Sequence, residues 1–464
     1  MQIVQQMWTR FHGIMESILG AMETELDYVS FQESLREQLN GLGREVCKSV
    51  LEAADRRLVE RREERAGWRI QRRDDEKSIL TSFGLVEYKR TYFKHAKTGK
   101  CAHLVDRKAG YGPHARIDLA LAAEVVEAAS ELPYRKSGEK PGKVAAESTV
   151  SGQTVMKALR RFDLEEKAFE GKSKKRQCET LYVEADEDHV AGQNGRTYMP
   201  MLVYVHEGKE GTERRRLKMP HYFSGLYKET EELWLWVLHY IEEHYDTNFL
   251  KRVFVCGDGA AWIKTGLKIL PKSVFVLDMF HLNKRLLGVL GRDSQEYKEA
   301  WKAIRAGDQV TVDRLLKEAM VFGETPNQVK LAQDCRRYIR LNWEGVMAYR
   351  VYPDADLGVS AEGHVSHILS ARLSSRPMGW SKKGVDQMAR MRALKANKVE
   401  IKAKYLEQHR RGLSPLRVLS ETISREREVL GRVAGEVTNN LPAMGGKVTP
   451  LRQWLQSISH ASIW

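Results

Sequence analysis

The chain has 464 residues, room for about three domains at roughly 150 residues each. Lys and Arg number 76 against 62 Asp and Glu, a net charge of +14 that suits a polyanion such as nucleic acid. Five scattered cysteines (Cys47, Cys101, Cys178, Cys256, Cys335) without a CxxC pair argue against a disulfide framework or a cysteine zinc site, and no apolar run nears the roughly 20 residues of a membrane span.

The amphipathic start carries Glu16 and lacks a signal peptide's basic start and cleavage site, so a cytoplasmic protein is expected. Residues 1–78 read as helix, with Ile14, Ile18, Leu19, Met22, Phe31, Leu35 and Leu39 at helical spacing. The end of this region, RRLVERREERAGWRIQRRDDEK, alternates in charge and reads as a solvated helix face or a DNA-backbone contact. Residues 79–114 read as a small β-hairpin unit, with alternation at Val86, Tyr88 and Tyr92 and a turn at Lys97-Thr98-Gly99. Residues 115–165 return to helix. Ser151 suits an N-cap, Val155, Met156 and Leu159 face inward, and Gln153, Thr154, Lys157, Arg160 and Arg161 face outward, the pattern of a helix-turn-helix recognition helix or of a plain helical hairpin. The charged stretch 166–180 reads as a linker.

Strands are expected at Leu181–Asp186, Tyr198–His206 and Arg214–Tyr222, then a helix at Glu229–Tyr245. Two apolar runs, Val253–Cys256 and Val274–Leu277, have the β-branched content of buried parallel strands and flank a helix, Ala260–Leu270. Three antiparallel strands followed by alternating parallel strands is the order of a ribonuclease H-like fold. The expected class is therefore α/β: a ribonuclease H-like mixed sheet core (178–290 and 358–395), interrupted by an all-α insertion (291–357). Helical and small β regions precede it, and a basic helical region, 396–464, follows. Ser360 reads as the N-cap of a helix buried through Val365, Ile368, Leu369 and Leu373, and Pro377 ends it.

Two-metal phosphodiester cleavage needs carboxylates converging from separate elements, and hard oxygen ligands select Mg²⁺ or Mn²⁺. A ribonuclease H-like order puts such acids at Asp186, Asp258 and Glu362. Asp188 and Glu184 share the strand face of Asp186 at period two. Asp258 could equally be a turn residue or helix cap, and Glu362 could simply favour a helix N-terminus. Asp278 and His281, three apart at a helix start, could bind metal, form a general-base pair or buttress the site. No GxxxxGK[ST] or Gly-x-Ser-x-Gly motif appears.

The motifs LYVEAD (181–186), GDGAAW (257–262), LDMFH (277–281), AEGHV (361–365) and SRPMGWS (375–381) together resemble the ISLre-type bacterial insertion-sequence transposases, distant relatives of the Mutator-type group. The likeness covers most of the chain. It implies a DDE transposase using Mg²⁺ or Mn²⁺, with its triad on Asp186, Asp258 and Glu362, and it matches Asp278 and His281 to the Asp-x-x-His motif of Mutator-type enzymes. The expected partners are DNA (terminal inverted repeats and target), bound through the 115–165 helices with phosphate contacts at Lys284, Arg285, Arg372 and Arg376, and further copies of the chain. A non-catalytic helix-turn-helix regulator and a ribonuclease H-like nuclease that cuts without joining are the competing expectations.

Overall fold

The computed structural model describes residues 3–22, 27–142, 149–164, 174–211, 215–411 and 413–440. Of the stretches named above, residues 166–173 of the linker, Arg214 of the expected third strand, and Gly412 and 441–464 of the C-terminal region lie outside them. The chain divides into two compact units, Met1–Phe162 with Lys402–Trp464, and Asp163–Ile401.

The first unit begins with helices α1 (Ile3–Met22) and α2 (Tyr28–Glu60), the second capped by the Asp27 side chain on Val29 N–H. The helix does not continue to residue 78. Strand β1 occupies Trp68–Thr81 and pairs antiparallel with β2 (Gly84–His95), which pairs with β3 (Cys101–His103). From Trp68 on, the charged stretch is thus an edge strand, where half the side chains face water and charge is tolerated, while its first residues end α2. Two register shifts, between Ile70 and Arg72 and between Arg72 and Asp75, break its period-two pattern and disguise it as a helix. Ile79, Val86, Tyr88 and Phe93 join Leu51 and Leu58 of α2 in one core.

Helices α3 (Leu119–Ala129), α4 (Tyr134–Gly142) and α5 (Gly152–Leu159) follow, and Leu121, Val125, Ala129, Val150 and Val155 share a core. Ser151 caps α5 by accepting Thr154 N–H, with Val155 and Leu159 buried.

The second unit is a mixed α/β structure. Its sheet strands are β4 (Thr180–Glu187), β5 (Met201–His206), β6 (His221–Gly225), β7 (Arg252–Gly257) and β8 (Ser273–Leu277). Their spatial order is β6-β5-β4-β7-β8, antiparallel on the β5 side of β4 and parallel on the β7 side. The third strand sits later than the expected Arg214–Tyr222 position. Asn397 closes this sheet edge, accepting from Tyr222 N–H and donating to Tyr222 C=O at 2.8 Å each.

Helices α6 (Thr230–His244) and α7 (Ala261–Ile269) cover one face, where Trp234, Val237 and Ile263 meet Leu181, Val183, Val203 and Val255. After α8 (Met279–Leu290), three helices form the insertion: α9 (Gln295–Ala306), α10 (Gln309–Val321) and α11 (Pro326–Val351). They share a core with Phe275, Leu277, Leu282 and Leu286. On the other sheet face Ala348 of α11 and Leu357 pack on Tyr182, Phe254, Cys256 and Val276. Burial on both faces explains the near-continuous apolar runs of the central strands. The chain returns through α12 (Ala361–Val365), a π-helical turn (Ser366–Ser370) and a last helical turn ending at Leu373, then α13 (Lys382–Ala396). Helices α14 (Ile401–Arg410) and α15 (Ser420–Asn440) complete the described chain. Among the described residues no helix is long and apolar enough to cross a membrane, and all five cysteines are free thiols.

Candidate metal centre

Strand parity decides which acids share a face. Leu181, Val183 and Ala185 point to the Trp234 side, so Tyr182, Glu184 and Asp186 point to the other. Phe254 and Cys256 of β7 and Val276 of β8 also face that second side. The parallel ladders pair Cys256 with Glu184 and Gly257 with Leu277. Extending those registers brings Asp186, Asp258 and Asp278 abreast, on one face, at the C-terminal ends of three adjacent parallel strands, where α/β sheets place their ligands.

Each aspartate then has its own local fate. Asp258 Oδ1 accepts Ala260 N–H at 2.9 Å, closing the turn into α7. Gly259 within that turn has φ +88°, and a Cβ there would lie 2.3 Å from Asn342 Oδ1. Asp278 caps α8 through Phe280 N–H at 2.8 Å. Its pKa is raised, by burial first, against the pull of Phe280 N–H and His281. Asp186 is only 8% exposed. Burial pushes its pKa up to about 7, with the charges of Glu362 and Asp258 adding and Glu187 N–H and His281 opposing. Burial likewise raises Glu187, whose carboxylate accepts the Trp262 indole N–H.

His281 lies in the first turn of α8. Its Nε2 is buried without a hydrogen-bond partner, 3.7 Å from Asp278 Oδ2 and 4.0 Å from Glu362 Oε2. Asp186, His281 and Glu362 each offer one ligand atom, and those three atoms lie within 4.8 Å of one another. Asp258 stands beside this group on the next strand and is felt electrostatically at Asp186. An orphaned buried nitrogen beside a buried carboxylate whose charge its acidic neighbours oppose fits a divalent cation, and the oxygen-rich donor set favours Mg²⁺ or Mn²⁺. His281, expected as a supporting residue, is thus a member of the three-ligand group.

The three acids at period two on β4 separate cleanly. Glu184 is 1% exposed and its carboxylate accepts from Tyr204 Oη (2.6 Å), His206 Nε2 (3.1 Å) and Ser360 N–H (2.5 Å). Burial works to raise its pKa, but these hydrogen bonds outweigh it and hold Glu184 below the usual range. Asp188 accepts from Ser374 Oγ at 2.9 Å on both oxygens. Asp186 alone of the three joins His281 and Glu362. Ser360 stands at the N-cap position of α12, as expected, but its side chain makes no cap bond and turns to Glu184 instead.

The model described as "Uncharacterised protein family (UPF0236)" matches residues 22–410. The chain belongs to the UPF0236 family. Two UPF0236 proteins of Caldanaerobacter subterraneus subsp. tengcongensis are each 34% identical to it over 432 residues, covering 92% of this chain and 91% and 92% of their own lengths. The name of the first joins eleven locus labels of that genome, and the name of a third relative, also 34% identical, joins four. UPF0236 proteins therefore occur as many paralogues in one genome. Every residue of the centre lies inside the matched span.

The residues of this UPF0236 chain expected at DNA divide by exposure. Gln153, Lys157, Arg160 and Arg161 are exposed, whereas Thr154 is half-buried with its hydroxyl on Ser151 Oγ at 2.9 Å. Lys284, Arg285 and Arg376 are exposed, Arg285 with its guanidinium 4.2 Å from the Tyr338 ring centroid. Arg372 corrects the expectation: it is 4% exposed and lies over the Trp380 ring. Nothing in the sequence announced the Glu184, Tyr204 and His206 network, because its partners lie on separate strands; only the period-two acids of β4 hinted at it.

Proposed function

We propose that this chain is the DNA transposase of an insertion sequence, cutting a phosphodiester at the element's end and joining the freed 3′-OH to target DNA. The observation that carries this reading is the meeting of Asp186 with Glu362, from either side of the helical insertion, beside Asp258 on the neighbouring strand. Three further facts support it. The strand order, β6 and β5 in antiparallel pairing on one side of β4 and parallel β7 and β8 on the other, suits the ribonuclease H-like core that this reading expects. The net charge of +14 suits DNA. The relatives' multiple loci suit a mobile element.

In this reading Asp186, Asp258 and Glu362, with His281, hold Mg²⁺ or Mn²⁺. A divalent ion so held supplies Lewis-acid polarisation of the phosphodiester and a nucleophile at neutral pH. The chain's own residues do the rest. Asp278 fixes the start of α8 and sets its carboxylate behind His281. Lys284 and Arg285, on the exposed side one turn beyond His281, reach for phosphates.

The test uses purified chain, labelled DNA flanking its own gene, and a target plasmid, with Mg²⁺ or Mn²⁺. Wild-type protein cuts and joins; Asp258→Asn binds DNA equally but loses cutting by about 10²–10³-fold, the several kcal/mol of charge stabilisation a misheld ion forfeits. Cleavage that survives Asp258→Asn would overturn the site. Cutting without joining would make the chain a nuclease, and metal-independent binding without cutting a regulator.

A further inference from the structure

The helical segment that carries Glu362 is held at both ends by the first strand of the sheet. At its start, Glu184 accepts Ser360 N–H at 2.5 Å and lies 3.2 Å from Ser360 Oγ. At its end, Ser374 Oγ donates to Asp188 at 2.9 Å. Glu184 and Asp188 flank Asp186 two residues to either side, Asp188 lying one residue beyond the end of β4. Glu362 itself has little to fix it. Its side chain is 59% exposed, and its Oε2 lies 4.0 Å from His281 Nε2. Its position is therefore set by where α12 begins, not by contacts of its own.

Glu184 is built for that task. Tyr204 Oη and His206 Nε2 hold its carboxylate from β5, and with the imidazole proton on Nε2, His206 Nδ1 accepts Gly208 N–H at 3.1 Å. The segment leading out of the insertion is tied to the same strands. Tyr182 Oη accepts Asp356 N–H at 3.0 Å, and Lys209 Nζ donates to Gly358 C=O. A chain re-entering the core after a long insertion would otherwise meet Asp186 in no particular register.

We propose that Glu184 and Asp188 are positioning residues: a two-point clamp through Ser360 and Ser374 that sets Glu362 opposite Asp186. The inference deepens the proposed function and rests on Glu362 being one of the metal-holding acids. Outer contacts that orient a metal's ligands shift metal affinity by about 10–100-fold when removed.

The test uses the full chain and Mn²⁺ alone as probe, followed by calorimetric titration, with hydrogen exchange of residues 361–373 in EDTA. Glu184→Ala is expected to speed exchange across 361–373 and to weaken Mn²⁺ binding about tenfold or more. Ser374→Ala should do the same to a smaller extent, and Glu184→Gln, whose carbonyl still accepts Ser360 N–H, should restore most of the affinity. In a Glu362→Gln background Glu184→Ala should cause no further loss, because the clamp acts through Glu362. Unchanged exchange in both Glu184→Ala and Ser374→Ala would overturn the clamp, as would an equal Mn²⁺ loss in the Glu362→Gln background. If Glu184→Ala fails to fold, Ser374→Ala and Glu184→Gln decide the matter by the same two readouts. Mn²⁺ binding that ignores both Asp186→Asn and Glu362→Gln would instead sink the metal reading, while the exchange measurement still judges the clamp.

Discussion

Asp186 sits where burial and two neighbouring acids oppose its charge, and that has a measurable cost in the metal-free protein. Its pKa is about 7 in the folded chain against an ordinary 3.8. Between those values the unfolded chain releases a proton that the folded chain keeps, so stability falls as pH rises, by up to about 1.4 kcal/mol per pH unit for this one group. Below pH 3.8 both states are protonated and the penalty vanishes; above about 7 it is complete. In EDTA, Asp186→Asn should therefore unfold at a higher urea concentration than wild type at pH 8, with the difference closing towards pH 4. An Asn variant that is no more stable at pH 8 would mean that Asp186 is not held in this environment. The same scale separates residues that share a charge but not a role. Arg372 was legible as a basic side chain on a helix, yet it is buried over Trp380, while Arg376 four residues later is exposed.

Turns and helix starts, more than the elements themselves, aim the chemistry. The β7–α7 turn reverses within Gly257-Asp258-Gly259, and Gly259 takes the left-handed conformation there with Asn342 packed against its Cα. Gly259→Ala adds a methyl group to a backbone at φ +88° and drives it towards Asn342, so it should destabilise the protein by about 1–3 kcal/mol in urea unfolding. It should also weaken Mn²⁺ binding, since Asp258 is part of the same turn. A substitution without effect on either would show that the turn has room to relax. At α12 the sequence suggested a serine cap, the commonest use of Ser at a helix start. The charge-assisted bond to the buried Glu184 carboxylate, stronger than a neutral cap bond, orients the Ser360 side chain away from the helix start.

Across the whole molecule, the excess of positive charge makes salt the informative variable. Binding of duplex DNA should weaken linearly in log–log form with added salt, with a slope of about −0.9 per phosphate neutralised. If the exposed face of α5 touches the backbone, Lys157→Ala should lower the magnitude of that slope by about 0.9 without changing sequence preference. An unchanged slope would remove Lys157 from the interface.

The order of the strands in the second unit, the all-helical insertion and the acidic residues at strand ends were legible in the sequence. They depend on local periodicity, and buried parallel strands such as Val253–Cys256 carry strong local patterns. The edge strand β1 was not legible, since its two bulges and its charge hide a period of two. Nor could the sequence choose among Glu184, Asp186 and Asp188, which are equivalent by parity. That choice belongs to tertiary structure. Ser360 and Ser374 occupy the outer two acids, and His281 and Glu362 arrive from distant elements to meet the middle one. Local periodicity determines which face an acid points to; only long-range packing determines what it finds there.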